Sequence, residues 1–270
     1  MSTPDYTMGF SQEYLEYPSR TRVETDATHL LPHLRPGLRV LDFGCGPGTI
    51  SVGLAEAVAP GELHGVDMEA SQIDLARAEA EARGLNNAIF HVGDVCALPF
   101  EDGFFDVAHG SSILTHIPEP QAALAEVKRV LKPGGIVACR ETLCESSFLE
   151  PDFGVLWRAW DLLEDVLKAN DGHPQMGREL KGHLAEAGFG DIQARASLKS
   201  YSTPTDIDFL HRFIASWFLS PEMTEMAVKY GAATEELCAE LRIASDNWKD
   251  HPAAFGGIAH GEAIAIKPAP

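Results

Sequence analysis

Short apolar runs alternate with longer segments of helical periodicity through the first half of the chain. The apolar runs predict buried strands at residues 38–43, 63–67, 88–92, 105–109 and 135–140. The segments between them carry apolar residues at helical spacing, which predicts helices over 49–59, 70–83 and 121–131. Strands that alternate with helices in this way indicate βαβ units. We therefore predict an α/β fold with an open, doubly wound, parallel sheet.

This pattern changes after Thr142. Helical stretches rich in aromatic residues lie at about 148–176 and 204–250, and a helix over 177–187, a strand over 193–201 and a last strand over 261–266 are predicted around them. The two stretches do not fit a minimal α/β sheet. We therefore expect helical inserts that pack together as a cap over the active-site end of a domain covering 36–270.

The residues before the first strand are predicted to form a separate helical segment. Apolar spacing indicates a helix over 21–34, and Phe10, Tyr14 and Tyr17 precede it. These aromatic residues could close over a ligand as an N-terminal lid, which would make 1–35 a small helical unit. The alternative is that they belong to the core of a docked helix.

Charge and composition narrow the classes of partner. The chain has 21 basic and 40 acidic residues and a net charge of -19, so its surface repels phosphate backbones and anionic lipids. It contains no apolar run long enough for a membrane span and begins without a signal-peptide pattern. Five cysteines without a CxxC pair match a reducing compartment. We expect a cytoplasmic protein that binds no nucleic acid and holds no metal, since no Cys/His cluster at zinc spacing occurs.

A glycine-rich turn after the first strand carries the clearest chemistry. Gly44, Gly46 and Gly48 follow the strand and open the next helix, and Asp67 ends the second strand. This is the arrangement of a nucleotide-binding site, in which the backbone approaches the ligand and the acidic residue accepts hydrogen bonds from the ribose. A Cβ in the turn would collide with such a ligand. The spacing differs from the G-x-G-x-x-G of dinucleotide sites, and Asp42 would repel a pyrophosphate. These residues favour a cationic sulfonium nucleoside, S-adenosylmethionine, over NAD.

Five segments in order resemble the motifs of class I S-adenosylmethionine-dependent methyltransferases. They are Val40–Gly48, Gly65–Met68, Gly93–Val95, Leu98–Asp106 and Leu131–Gly135. The closest similarity is to the ubiquinone- and menaquinone-biosynthesis type of small-molecule methyltransferase, over about residues 35–142. The resemblance implies a Rossmann-like sheet of seven mostly parallel strands, whose last strand, Glu262–Ile266, is antiparallel.

The resemblance also implies roles for individual residues. The amino-acid end of the cofactor is expected at Asp42, Gly44, Cys45, Gly46, Gly48, His109 and Ser111. Its adenosyl end is expected at Asp67, Met68, Gln72, Asp94 and Val95. Asp67 would bind the ribose, Met68 would pack on the adenine, and Asp94 would accept a hydrogen bond from the adenine amino group.

Three further residues are candidates for the chemical step. His116 follows the fourth strand and could act as a general base, or it could serve packing and positioning. Arg140 and Glu141 are predicted to end the fifth strand, at the edge of the sheet where ligands bind. They could face the substrate or form a salt-bridged pair at the rim.

The predicted reaction is direct in-line transfer of the methyl group to an O, N, C or S atom of a small-molecule acceptor. The cofactor supplies the chemistry and the protein supplies orientation and desolvation. Two other functions stay open at this stage: an NAD-dependent oxidoreductase, and a catalytically silent nucleoside-binding module. The identity of the acceptor and the formation of a homodimer are also open.

Overall fold

The computed structural model describes residues 20–215 and 219–269, which divide into two compact units. The sheet unit contains residues 20–141, 176–195 and 261–269, and the helical unit contains Thr142–Gln175 and Ala196–His260 apart from 216–218. Phe10, Tyr14 and Tyr17 lie outside the described residues, so the N-terminal lid stays a prediction, as do the domain boundaries.

Seven strands form one sheet. They are β1 (Arg39–Phe43), β2 (Glu62–Asp67), β3 (Ala88–Val92), β4 (Phe105–Ser111), β5 (Leu131–Glu150), β6 (Gly190–Tyr201) and β7 (Phe255–Ile266). Their order is β3-β2-β1-β4-β5-β7-β6, and the pairs β1–β2, β1–β4, β2–β3 and β4–β5 are parallel. β7 runs against β5, because Lys267, just after β7, exchanges backbone hydrogen bonds with Gly134 and Gly135 near the start of β5. The predicted fold class is confirmed.

Nine α-helices lie within the described residues. They are α1 (Val23–Asp26), α2 (Thr49–Val58), α3 (Ala70–Ala82), α4 (Pro120–Val130), α5 (Arg158–Ala169), α6 (Met176–Glu186), α7 (Pro204–Phe213), α8 (Pro221–Lys229) and α9 (Glu235–Lys249). In the sheet unit, α1, α2 and α3 pack with β1 and β2 into one apolar cluster. α4 and α6 contribute to a second cluster that includes Phe43 and Phe105. Apolar burial on both faces explains why these strands show little polar alternation.

The helix predicted over 21–34 is wrong. The segment forms only α1 and a short 3-10 turn over Leu31–His33. Ala27, at φ -128° and ψ 28°, ends α1, and Pro32, which has no N–H to donate to a preceding carbonyl, lies in the 3-10 turn. Val23, Ala27 and Leu30 are nevertheless buried, so the apolar periodicity correctly indicates the buried side of the segment.

The helical unit has its own core, built from α5, α7, α8 and α9 and from the ends of β5 and β7. Trp248 is fully buried there, and its Nε1 donates to the Glu150 carbonyl at 2.9 Å. The predicted boundaries need correction in this unit. β5 continues to Glu150, so the helix predicted from 148 begins at Arg158. Gly231, at φ +72°, follows α8 and separates it from α9. No helix of the described chain has the length and apolar character that crossing a membrane requires.

Candidate functional site

The carboxyl ends of four parallel strands place the predicted cofactor residues at one edge of the sheet unit. Asp42 on β1 is in register with His109 on β4 and with Gly65 on β2. Asp67 ends β2 and pairs with Val92 at the end of β3. Ligands of open parallel sheets bind at this edge, beside the point where strand order reverses, which here lies between β1 and β4.

The glycine turn connects β1 to α2. Gly44, Gly46 and Gly48 have φ values of +70°, +51° and +78°, a region that side chains disfavour. The amides of Gly44 and Cys45 donate to the Val66 carbonyl at 2.8 and 3.1 Å, which fixes the turn against β2. The motif therefore adopts the strand–turn–helix geometry that the sequence predicts.

An added methyl group would meet different surroundings at each glycine. At Gly44 it would lie 2.6 Å from the side chain of Ile113, and at Gly48 it would lie 2.7 Å from the Cβ of Ala76. At Gly46 no atom lies within 4 Å. The sequence predicts that a Cβ in the turn would collide with a ligand. At Gly44 and Gly48 the Cβ would collide with the protein itself, so packing of the protein requires glycine at these two positions. Only Gly46 faces open space.

Asp67 lies beside this open position. Its two carboxylate oxygens accept hydrogen bonds from the amides of Gly46 at 2.9 Å and Glu69 at 3.0 Å. Partial burial raises the pKa of the Asp67 carboxyl, and these two hydrogen bonds oppose the rise. Each oxygen keeps a second lone pair for a ligand hydroxyl. Asp67 thus joins the glycine turn to the place predicted for the ribose.

Asp42 lies deeper than its predicted role suggests. It is buried, accepts a hydrogen bond from the Ser51 hydroxyl, and lies 2.7 Å from Nδ1 of the buried His109. Its contacts are thus inside the sheet unit, at the base of the turn. Cys45 is also buried, and desolvation raises the pKa of its thiol well above the usual range, so it lacks the thiolate needed for nucleophilic chemistry.

The predicted adenosyl side combines exposed and buried groups. Met68 is 64 % exposed and Val92 is 53 % exposed, although both are apolar. Asp94 accepts a hydrogen bond from the Cys96 amide at 2.8 Å and begins a short 3-10 turn that buries Val95. Gln72, near the start of α3, is buried. The exposed apolar pair provides a surface on which a planar ring could pack.

The segment after β4 has a geometry that the sequence does not indicate. Ser111 ends β4, and Ser112 has a φ of +53°, which is uncommon for a residue with a side chain. A 3-10 turn over Leu114–His116 follows. Strained backbone of this kind is enriched at functional sites and persists only where the surroundings fix it.

The prediction that Arg140 and Glu141 end the fifth strand is wrong, because β5 continues to Glu150. Both are buried. Arg140 lies 3.2 Å from Asp26 and 3.5 Å from Glu262, which are buried as well. The predicted rim pair between Arg140 and Glu141 is replaced by separate buried contacts.

Sequence reasoning missed the buried partners of Arg140 and the left-handed conformation of Ser112. Asp26 and Glu262 lie far from Arg140 in the sequence, and no local motif links them. The one signal that could have found them was a charged residue inside an apolar segment, because charges are rarely buried without a partner.

His116 has an electrostatic environment that bears on its proposed role. Desolvation lowers the pKa of His116 to about 4. Desolvation is also the largest cause that lowers the pKa of the buried His29 to about 4, and His109 adds to the effect. Both imidazoles are therefore neutral at pH 7, the state that a proton acceptor needs.

The contribution of His29 and His116 to stability should decrease as the pH falls from about 6.5 to 4. In this range the unfolded chain protonates His29 and His116 while the folded chain does not, which favours unfolding by about 2 kcal/mol for each histidine at pH 5. Urea unfolding at pH 7 and pH 5 measures the loss. A His29→Gln variant should show a smaller loss between the two pH values, whereas His33→Gln, at an exposed position, serves as the control. An unchanged loss in His29→Gln would contradict the assignment.

Among residues 20–215 and 219–269, no three His, Cys, Asp or Glu side chains come together in a way that could hold a metal ion. The polar groups at the sheet edge are instead carboxylates and backbone amides around an open turn. Such a set suits a nucleoside with hydroxyl groups and positive charge.

Comparisons with known proteins agree with this geometry. A family model described as a methyltransferase domain matches residues 34–183. An uncharacterized methyltransferase of Schizosaccharomyces pombe is 34 % identical over 93 % of this chain and 87 % of its own length. A demethylmenaquinone methyltransferase of Geobacillus kaustophilus is 29 % identical over 60 % of this chain and 75 % of its own length.

A similar fold occurs in a solved structure. The phosphoethanolamine N-methyltransferase 2 of Haemonchus contortus, in complex with phosphomonomethylethanolamine and S-adenosylhomocysteine, superposes with a TM-score of 0.55 at 18 % identity. The match covers 90 % of this chain and 52 % of that chain. At this identity the likeness shows a shared fold.

Proposed function

The chain belongs to the methyltransferase-domain family, with S-adenosylmethionine as its cofactor, and we propose that it methylates a small molecule by direct in-line transfer. The observation that carries the proposal is the open space at Gly46 beside the Asp67 carboxylate. Every other glycine position in this turn is filled by the protein itself. An open turn with an adjacent carboxylate matches a nucleoside ligand.

The residues at the sheet edge divide the binding work. Asp67 would accept hydrogen bonds from the ribose hydroxyls, and the exposed Met68 would pack against the adenine. Asp94 would bind the adenine amino group with the carboxylate oxygen that the Cys96 amide leaves free. Asp42 would act from beneath the turn, adding negative potential under the cationic end of the ligand. When bound, the cofactor supplies an electrophilic methyl group on a sulfonium.

The protein's contribution to the transfer step is orientation and exclusion of water. Holding two reactants in line can supply roughly 7–11 kcal/mol of the barrier reduction. The neutral imidazole of His116 could take a proton from an acceptor that still carries one, but a pKa of about 4 makes it a weak base at pH 7 and favours its packing and positioning role. This assistance is needed only for an acceptor that keeps its proton at pH 7.

The acceptor is proposed as a small molecule. The net charge of -19 disfavours nucleic acid, whose phosphates are bound through Lys and Arg. The similarity to a demethylmenaquinone methyltransferase spans 60 % of the chain, so it does not name the acceptor of this one. The cytosol is the location that the free thiols favour.

Incubation with methyl-labelled S-adenosylmethionine and a panel of phenols, quinols, amines and thiols tests the proposed activity. Label in any acceptor, with release of S-adenosylhomocysteine, would support it. Calorimetry with S-adenosylhomocysteine and with NADH separates the cofactor classes. Binding of NADH without binding of S-adenosylhomocysteine would favour an oxidoreductase and refute the proposal.

Gly46→Ala should weaken S-adenosylhomocysteine binding while the chain remains folded. The new methyl group would project into open space that the ligand needs, at a cost of about 1–3 kcal/mol, or roughly 5- to 150-fold in affinity. Gly134→Ala is a matched control, because Gly134 also has a positive φ and no atom within 4 Å of the Cβ that alanine would add, but lies near the start of β5. Calorimetry should show normal affinity for the control. Equal affinities for both variants would place the ligand elsewhere.

A further inference from the structure

Glu141 organises the segment that follows β4. One carboxylate oxygen accepts hydrogen bonds from the amides of Ile113 at 3.2 Å and Leu114 at 3.0 Å. The other accepts from the amide of Thr115 at 3.3 Å and from its hydroxyl at 2.8 Å. A carboxylate offers about four acceptor positions, so this turn uses the full capacity of Glu141. No acceptor position is left for a substrate proton.

This segment forms one wall of the glycine turn. A methyl group added at Gly44 would lie 2.6 Å from the Ile113 side chain, so the segment approaches the turn closely. The amide of Ser112 donates to the Arg140 carbonyl at 2.8 Å, which joins the segment to β5 just before Glu141. The left-handed conformation of Ser112 is therefore held from both sides. The position of Ile113 against the turn depends on these bonds.

We propose that Glu141 is a positioning residue for methyl transfer, which holds residues 113–115 against the glycine turn and so sets the wall beside the transferred methyl group. The proposal rests on the proposed function. It replaces the idea that Glu141 faces the substrate, because the side chain is fully buried and saturated with donors. Glu141 would act on the reaction through Ile113 and would not touch the reactants.

The identity of the side chain is specific for this role. Three backbone N–H groups and one hydroxyl converge on Glu141, and a glutamine would place its NH₂ group against some of these donors. A shorter aspartate would not reach the same amides without movement of the backbone. These donors therefore favour glutamate over glutamine or aspartate at this position.

The test uses two probes that differ at the transferred-methyl position. S-adenosylhomocysteine lacks the methyl group, and sinefungin carries an amino-substituted carbon in place of the sulfur. In Glu141→Gln we expect the ratio of the two affinities to change by about fivefold or more, while S-adenosylhomocysteine alone changes by less than about threefold. Hydrogen exchange at the amides of 113–115 should be faster by about tenfold. A general loosening of the fold would weaken both probes equally and leave the ratio unchanged.

Two further variants keep the test decisive. Thr115→Val removes one donor to Glu141 and should shift the ratio of the two affinities in the same direction as Glu141→Gln does. Thr115→Ser keeps the hydroxyl donor and should leave this ratio as it is in the unmodified chain. Glu126→Gln is the control, because Glu126 also accepts a backbone hydrogen bond in the sheet unit, from the Leu98 amide at 2.9 Å. An unchanged ratio in Glu141→Gln and Thr115→Val, with faster exchange at 113–115, would overturn the positioning role alone. Failure of the unmodified chain to bind either probe would overturn the proposed function as well.

Discussion

Asp67→Ala is expected to weaken S-adenosylhomocysteine binding by about 100-fold or more. A hydrogen bond to a charged group contributes about 1.5–3 kcal/mol, and the carboxylate has free lone pairs for both ribose hydroxyls. The variant also loses the bond that anchors the Gly46 amide. Asp67→Asn keeps the shape of the side chain and one acceptor oxygen. Its affinity for S-adenosylhomocysteine should lie between those of Asp67→Ala and the unmodified chain. Calorimetry measures all three affinities.

Asp106→Ala provides the matched control for this measurement. Asp106 also accepts a backbone hydrogen bond, from Arg39 at 3.0 Å, but it lies near the beginning of β4, at the opposite edge of the sheet. Its loss should leave the affinity for S-adenosylhomocysteine unchanged. If Asp67→Ala binds the product cofactor as tightly as Asp106→Ala does, the ribose assignment is wrong.

Arg140→Met is expected to lower the free energy of unfolding by about 3–5 kcal/mol. The substitution leaves Asp26 and Glu262 buried with less compensating charge, and desolvated carboxylates are costly. This is a large part of the roughly 5–15 kcal/mol by which typical domains are stable. Urea unfolding should show a lower midpoint with an unchanged slope.

Arg39→Met tests whether the burial of the Arg140 ion pairs causes the loss of stability expected for Arg140→Met. Arg39 also pairs with a glutamate, Glu62, but both side chains are nearly half exposed. Exposed pairs contribute about 0–1 kcal/mol, so this variant should unfold close to the unmodified chain. A comparable loss in the two variants would show that the buried contacts of Arg140 have no special weight.

The sheet and the glycine turn could be predicted because their signals are local. A short apolar strand, a turn that needs positive φ, and an acidic residue at the end of the next strand are adjacent in sequence as well as in space. The same local reasoning failed over 21–34, where the apolar periodicity continues but the α-helix ends at Asp26. It also failed at 148–157, where the apolar run belongs partly to β5.

The buried polar contacts could not be predicted, because they join distant parts of the chain. Nothing near Glu141 in the sequence indicates that Ile113, Leu114 and Thr115 supply its donors. The contacts of Asp42 could not be predicted for the same reason, because Ser51 and His109 become its neighbours only after the chain has folded. Strand register decides such contacts, and these parallel strands have no hairpin turn between them that would fix their register locally.

The division of the chain at 141/142, 175/176, 195/196 and 260/261 has a practical consequence for engineering. Each unit is discontinuous, so neither can be expressed by simple truncation, but each excursion into the helical unit is a single uninterrupted stretch. A chimera could therefore exchange Thr142–Gln175 and Ala196–His260 for the equivalent stretches of a relative and leave Asp67 and the glycine turn untouched. Such grafts would separate what the helical unit contributes to the protein from what the sheet unit contributes.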